Sequence, residues 1–176
     1  MRRGTRVANS GGMSHPARLS STNYAGYSRC FATACTYKRA PVFRDAPSVS
    51  VVAEQFMQAA ETEGCEVLAY CFMPDHVHLL VAGTSAHADF RRFMKLAKQR
   101  SGWRHSQATG KRLWQPGYHD RVMRDDEATP DMIRYIVSNP LRAGLVNTVS
   151  EYPFWGSAEY SRAEILSFLS EHRSRR

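Results

Sequence analysis

The sequence predicts an α+β fold, an antiparallel sheet with helices on one face. Three observations lead there. Runs that alternate with period two are interleaved with runs at helical spacing. Two of the strand-like runs are separated only by Pro74-Asp75, a connection short enough to demand an antiparallel hairpin. A chain of 176 residues, 43% of them hydrophobic, suffices for one domain with a sizeable core.

The elements follow in order. Arg29 to Tyr37 reads as a strand with Phe31, Thr33, Cys35 and Tyr37 on one side. Ser48 to Glu63 reads as a helix with Val51, Val52, Phe56, Ala59 and Ala60 at helical spacing, stopped by Gly64. Cys65 to Met73 is the second strand and His76 to Ala82 the third, joined by the Pro-Asp turn. Ser85 is placed to cap a second helix running to about Ser101, with Phe90, Phe93, Met94 and Ala97 as its apolar stripe. A short strand is expected near Tyr118 to Arg124. Thr129-Pro130-Asp131 then opens a third helix with a capping hydroxyl, a proline at the first helical position and an acid in the first turn. The order strand–helix–strand–strand–helix–strand is the ferredoxin-like split βαβ pattern, with the His76-Val77-His78 strand at its centre.

Composition narrows the function. The net charge of +8 favours a polyanionic partner, most simply nucleic acid. No apolar run approaches the roughly 18–20 residues of a membrane span, and Arg2, Arg3 and Arg6 are not followed by the apolar stretch of a secretory signal. The expected location is therefore cytoplasmic. Residues 1–25 read as a flexible basic arm, 26–160 as the patterned domain and 161–176 as a C-terminal helix and basic tail. Cys30, Cys35, Cys65 and Cys71 form no Cys-x-x-Cys pair, so reduced, buried thiols are expected rather than zinc ligands or disulfides.

Candidate site residues cluster in three places. His76 and His78 are two apart on a strand, so both imidazoles share a face and can hold one divalent ion. Asp75 before them is a turn former or a hydrogen-bond partner for a ligand histidine. On the second helix Arg91, Arg92, Lys95 and Lys98 form a cationic side with no acid among them, followed by Arg100, Trp103, Arg104 and His105. That suits a nucleic-acid backbone, or else a solvated face. On the third helix Met132, Ile133, Ile136 and Val137 form the core stripe, and Tyr135 projects roughly 130° from its middle. Asn139 follows four positions on and precedes Pro140. Taken alone, that segment reads as a half-exposed tyrosine followed by an Asn-Pro helix stop. Trp114 fits a core position, and His119, beside Asp120 in the short strand, a surface one.

Met73-Pro74-Asp75-His76-Val77-His78-Leu79-Leu80, followed by Tyr135-Ile136-Val137-Ser138-Asn139-Pro140-Leu141-Arg142-Ala143-Gly144-Leu145-Val146, resembles the single-tyrosine HUH transposases of the IS200-like superfamily. With Leu113-Trp114-Gln115-Pro116-Gly117-Tyr118-His119-Asp120-Arg121, the resemblance is to the REP-associated tyrosine branch, over roughly residues 29 to 158. It implies the HUH endonuclease fold and cleavage of single-stranded or hairpin DNA. It also implies Mg²⁺ or Mn²⁺ on His76 and His78, Asn139 completing the metal site, Tyr135 as nucleophile through a 5′-phosphotyrosine, and a monomer or homodimer. Arg142, following Asn-Pro, is placed either to contact phosphate or to be a solvated helix residue. The branch's longer Gly-Arg-Ser-x-Tyr-Arg motif is represented only by Gly26-Tyr27-Ser28-Arg29. Two rival readings are a non-catalytic DNA binder descended from a transposase and a phosphodiesterase that uses water.

Overall fold

The computed structural model describes residues 24–173. The first 23 residues of the expected basic arm and the last three of the basic tail lie outside the described residues. Tyr24 and Ala25, assigned to the arm by sequence, are tied to the domain. Tyr24 is buried and stacks on Phe90, and Ala25 bridges Asp89.

Five strands form one antiparallel sheet: β1 (Arg29–Cys35), β2 (Cys65–Met73), β3 (His76–Gly83), β4 (His119–Val122) and β5 (Trp155–Gly156). Their order is β4-β1-β3-β2-β5, so β3 is central as its sequence predicted. The helices are α1 (Ala46–Thr62), α2 (Phe90–Thr109), α3 (Thr129–Val137), the single turn α4 (Asn139–Arg142) and α5 (Arg162–Arg173). Among the described residues no helix is long and apolar enough to cross a membrane.

The sheet divides the core. Ala32 and Ala34 of β1, Val67 and Phe72 of β2, and Val77, Leu79 and Val81 of β3 pack against α1 and α2. The expectation of helices on one face describes this pair. A second layer covers the opposite face, where Leu68, Ala69, Cys71, Met73 and Leu80 meet Ile133, Ile136 and Val137 of α3 and Ile165 of α5. The layer exists because β2 is apolar on both sides, as buried strands are, and Leu80 of β3 extends its second face. A bulge at Leu68 lets Leu68 and Ala69 both enter it. All four cysteines are buried free thiols, as expected, and burial pushes Cys30 and Cys71 up to about 12, so they remain protonated.

Three element details differ from the sequence reading. In α1, Val49 faces the core and Val51 is exposed, because the stripe runs 49, 52, 56, 59. In α2 the cap is Asp89 rather than Ser85, with Oδ1 accepting from the amides of Arg91 and Arg92 at 2.9 and 3.0 Å. That helix runs on to Thr109, because Gly102 is tolerated against Trp114 and the left-handed Gly110 supplies the stop. In α3, Thr129 does not cap; its hydroxyl accepts from Arg29 Nη1 at 2.6 Å, and Ala128 takes the cap position.

Gly83 ends β3 where the chain crosses Gly26. A Cβ at Gly83 would overlap the Gly26 carbonyl oxygen and lie 2.9 Å from Ala88 Cβ. Both backbones are fixed, the Gly83 amide donating to Ser28 O at 3.0 Å. Gly83→Ala is expected to destabilise the domain by about 2–3 kcal/mol, read as a lower urea midpoint.

Candidate active site

The alternation of β3 creates the site. With Val77, Leu79 and Val81 committed to the α1–α2 core, His76 and His78 must face α3. Asp75 in the turn accepts from Nδ1 of His76 at 2.6 Å, so this carboxylate is both turn former and histidine partner. Across the ladder β1 sets Thr33 directly opposite His78, and Thr33 Oγ1 hydrogen-bonds Nδ1 of His78 at 2.9 Å. With both Nδ1 atoms engaged, the two Nε2 atoms converge to 3.1 Å.

That convergence fits an ion. Two nitrogen lone pairs at this distance repel unless a proton or a cation lies between them. Two ligand nitrogens each about 2.1 Å from one ion at a right angle would stand about 3.0 Å apart, close to what is seen. His78 is held neutral, pushed down to about 4 chiefly by burial and further by neighbouring His76 and Arg39. A neutral imidazole whose other nitrogen is occupied is a metal ligand in waiting. Among the described residues no group of three or more His, Cys, Asp or Glu side chains could hold an ion.

Tyr135 reaches the same face from α3. It is 42% exposed, off the buried stripe of Ile133, Ile136 and Val137, as its spacing predicted. Its ring meets Phe31 edge-on at 6.1 Å, and Phe31 stacks on His78 at 5.7 Å. Phe31 is thus the physical link between histidine pair and tyrosine. Arg142 of α4 stacks its guanidinium 4.8 Å from the Tyr135 ring centroid. Tyr135 and Arg142 also wall a cleft of about 820 Å³ floored by Leu141, Val149, Leu166 and Leu169. Asn139 begins α4, and its amide nitrogen donates to the carbonyls of Tyr135 and Ile136 at 2.9 and 3.1 Å. No hydrogen bond joins it to either histidine.

The cations of α2 are not brought to this site, because α2 packs on the opposite face of the sheet. Arg91 lies 4.4 Å from the Tyr24 ring, and Arg92 pairs with Glu63 at 3.0 Å, an acid supplied by the end of another element. Lys98 donates to the carbonyls of Gln115 (3.0 Å) and Gly117, beside Trp114 and Tyr118. Lys95 is exposed. Trp114 is buried and His119 exposed, as read from sequence. His119 nonetheless shares a cross-sheet row with Thr33 and His78. Sequence reasoning missed Thr33, Phe31 and Arg39 as site residues. For the first two the alternation of β1 was visible, but only the register names their partners.

A central-strand histidine pair and a helix-borne tyrosine on one face of an antiparallel sheet define the class of HUH tyrosine transposases. The chain belongs to the IS200-like transposase family, whose description "Transposase IS200 like" matches residues 30–139. A candidate REP-associated tyrosine transposase of Haemophilus influenzae is 25% identical over 126 residues, 62% of this chain and 69% of its own. The REP-associated tyrosine transposase of Escherichia coli is 30% identical over 91 residues, 51% of this chain, which spans only 52% of that relative. The solved structure of a REP-associated tyrosine transposase bound to a REP hairpin superposes with a TM-score of 0.66. It covers 81% of this chain and 82% of that one at 22% identity, which establishes the shared fold.

Because the folded state holds His78 below its unfolded value of 6.5, unfolding takes up a proton between about pH 4 and 6.5. The associated stability is complete above 6.5 and lost as pH falls toward about 4, on the order of 3 kcal/mol in total. Urea midpoints measured across that window should slope upward with pH in the native protein, with a visibly smaller slope in His78→Gln.

Proposed function

We propose that this protein is a divalent-metal-dependent transesterase that cleaves and rejoins single-stranded DNA through Tyr135. The observation that carries the reading is the 3.1 Å convergence of the His76 and His78 Nε2 atoms on the face that also bears Tyr135. His76 and His78 would hold Mg²⁺ or Mn²⁺; two imidazoles on a hard ion favour Mn²⁺ in vitro. Asn139 is the family-based candidate for a further ligand through its side-chain oxygen. When bound, the ion would act as a Lewis acid on a non-bridging phosphate oxygen.

The chain's own residues supply the rest. The Tyr135 oxygen attacks phosphorus, the phenolic proton passes to solvent, and the 3′-oxygen of the upstream nucleotide leaves as a hydroxyl. The product is a 5′-phosphotyrosine. A 3′-hydroxyl attacking that linkage restores the phosphodiester and frees Tyr135, so rejoining needs no nucleotide cofactor. Arg142, stacked on the ring, adds positive charge beside the developing phenolate and the bound phosphate. The transposase family and the hairpin-bound structural relative support hairpin DNA as the substrate form. The α2 cations would serve, at most, a second stretch of DNA across the sheet.

The test is a 3′-labelled hairpin oligonucleotide incubated with Mn²⁺ and resolved under denaturing conditions. The native protein should carry the label covalently. Tyr135→Phe should lower the adduct by at least ~10³-fold, and chelation should abolish it. Cleavage that survives in Tyr135→Phe would assign the nucleophile to water. Tight oligonucleotide binding with no cleavage under any divalent ion would make the protein a binder.

A further inference from the structure

The turn between β1 and α1 holds a conformation that the proposed chemistry does not yet use. Lys38 (φ 54°) and Arg39 (φ 57°) are consecutive left-handed residues, and no other described non-glycine residue has a positive φ. Side chains disfavour that region, so surrounding contacts must impose it. They do. The Thr36 amide donates to Asp75 O at 2.9 Å, the Thr36 hydroxyl lies between Ala40 O (2.7 Å) and Asp75 O (2.9 Å), and the Phe43 amide donates to Pro74 O at 2.9 Å. These bonds staple the turn to the Pro74-Asp75 connection that launches β3.

The imposed conformation aims one side chain. Arg39 Nε donates to Asp75 Oδ2 at 2.9 Å, and Arg39 Nη1 reaches Cys35 Sγ at 2.8 Å. The two oxygens of Asp75 are thereby divided, Oδ2 to Arg39 and Oδ1 to His76. The ion pair is half exposed on the arginine side, and such a pair contributes little to stability by itself. A disfavoured backbone supporting a weak ion pair calls for a role other than stability.

We propose that Arg39 is a positioning residue: by gripping Asp75 Oδ2, it holds that carboxylate as the acceptor for His76 Nδ1–H and keeps it from turning in as a ligand. His76 is then fixed in one tautomer, with Nε2 bare and directed at His78. The inference rests on the reading of His76 and His78 as ion ligands. Sequence alone hides it, because Arg39 precedes Asp75 by 36 residues and looks like any loop cation.

Three variants of the full chain test it. Arg39→Gly suits the left-handed backbone and removes the guanidinium. Arg39→Gln keeps bulk without charge, and Arg39→Lys keeps the charge. Nitrogen-15 NMR of the metal-free protein reports the His76 tautomer, and electron paramagnetic resonance of free Mn²⁺ reports affinity. Arg39→Gly and Arg39→Gln should lose the single Nδ1–H tautomer and bind Mn²⁺ about 10-fold more weakly. Arg39→Lys should recover most of both. An unchanged tautomer with unchanged Mn²⁺ affinity would overturn the assignment. So would tighter binding, the outcome for a guanidinium that merely repels the ion. If the native protein binds no Mn²⁺ at all, the metal reading fails by itself, and the tautomer comparison still decides the role of Arg39.

Discussion

Everything at the candidate site depends on β3 lying in the middle of the sheet with a strict two-residue alternation. Val77, Leu79 and Val81 are almost wholly removed from water against α1 and α2. A slip of one residue would place two imidazoles in that core and three aliphatic side chains on the other face. Hydrophobic burial on one side of the strand thus fixes the direction of the histidines on the other. Strands on both flanks, β1 and β2, remove the freedom an edge strand would have.

Polar groups set into a largely apolar sheet need partners, and each partner comes from a different part of the fold. Thr33 comes from β1 by register, and Asp75 from the turn. The result is a pair of imidazoles with their outer nitrogens satisfied and their inner ones facing each other. Desolvation, which would make a lone buried histidine a burden, here keeps His78 uncharged and able to coordinate. The same environment extends through Phe31 to Tyr135, so the histidine pair and the tyrosine share one wall of aromatic packing.

The charges on α2 show how tertiary structure reassigns a surface. On a helical wheel they form a side free of acids. In the fold Glu63 arrives at Arg92, Lys98 settles on two carbonyls, and Arg91 lies over Tyr24. The whole helix sits across the sheet from the histidines. Arg142, a single cation in a one-turn helix, is instead the one that meets Tyr135.

Much was determined by the sequence itself, because the relevant signals are local. Period-two runs and a two-residue turn specified the β2–β3 hairpin, the shared face of His76 and His78 followed from alternation, and helical spacing turned Tyr135 away from its core stripe. Helix starts were less legible, since Ser85 and Asp89 are both good caps and packing of Phe90 chose between them. The tertiary structure alone decided what lay opposite what. Register paired Thr33 with His78, the second apolar face of β2 called for α3, and a left-handed turn carried Arg39 to Asp75. Those contacts join residues tens of positions apart, and no local pattern encodes them; only the closed sheet, with both faces covered, brings them within reach.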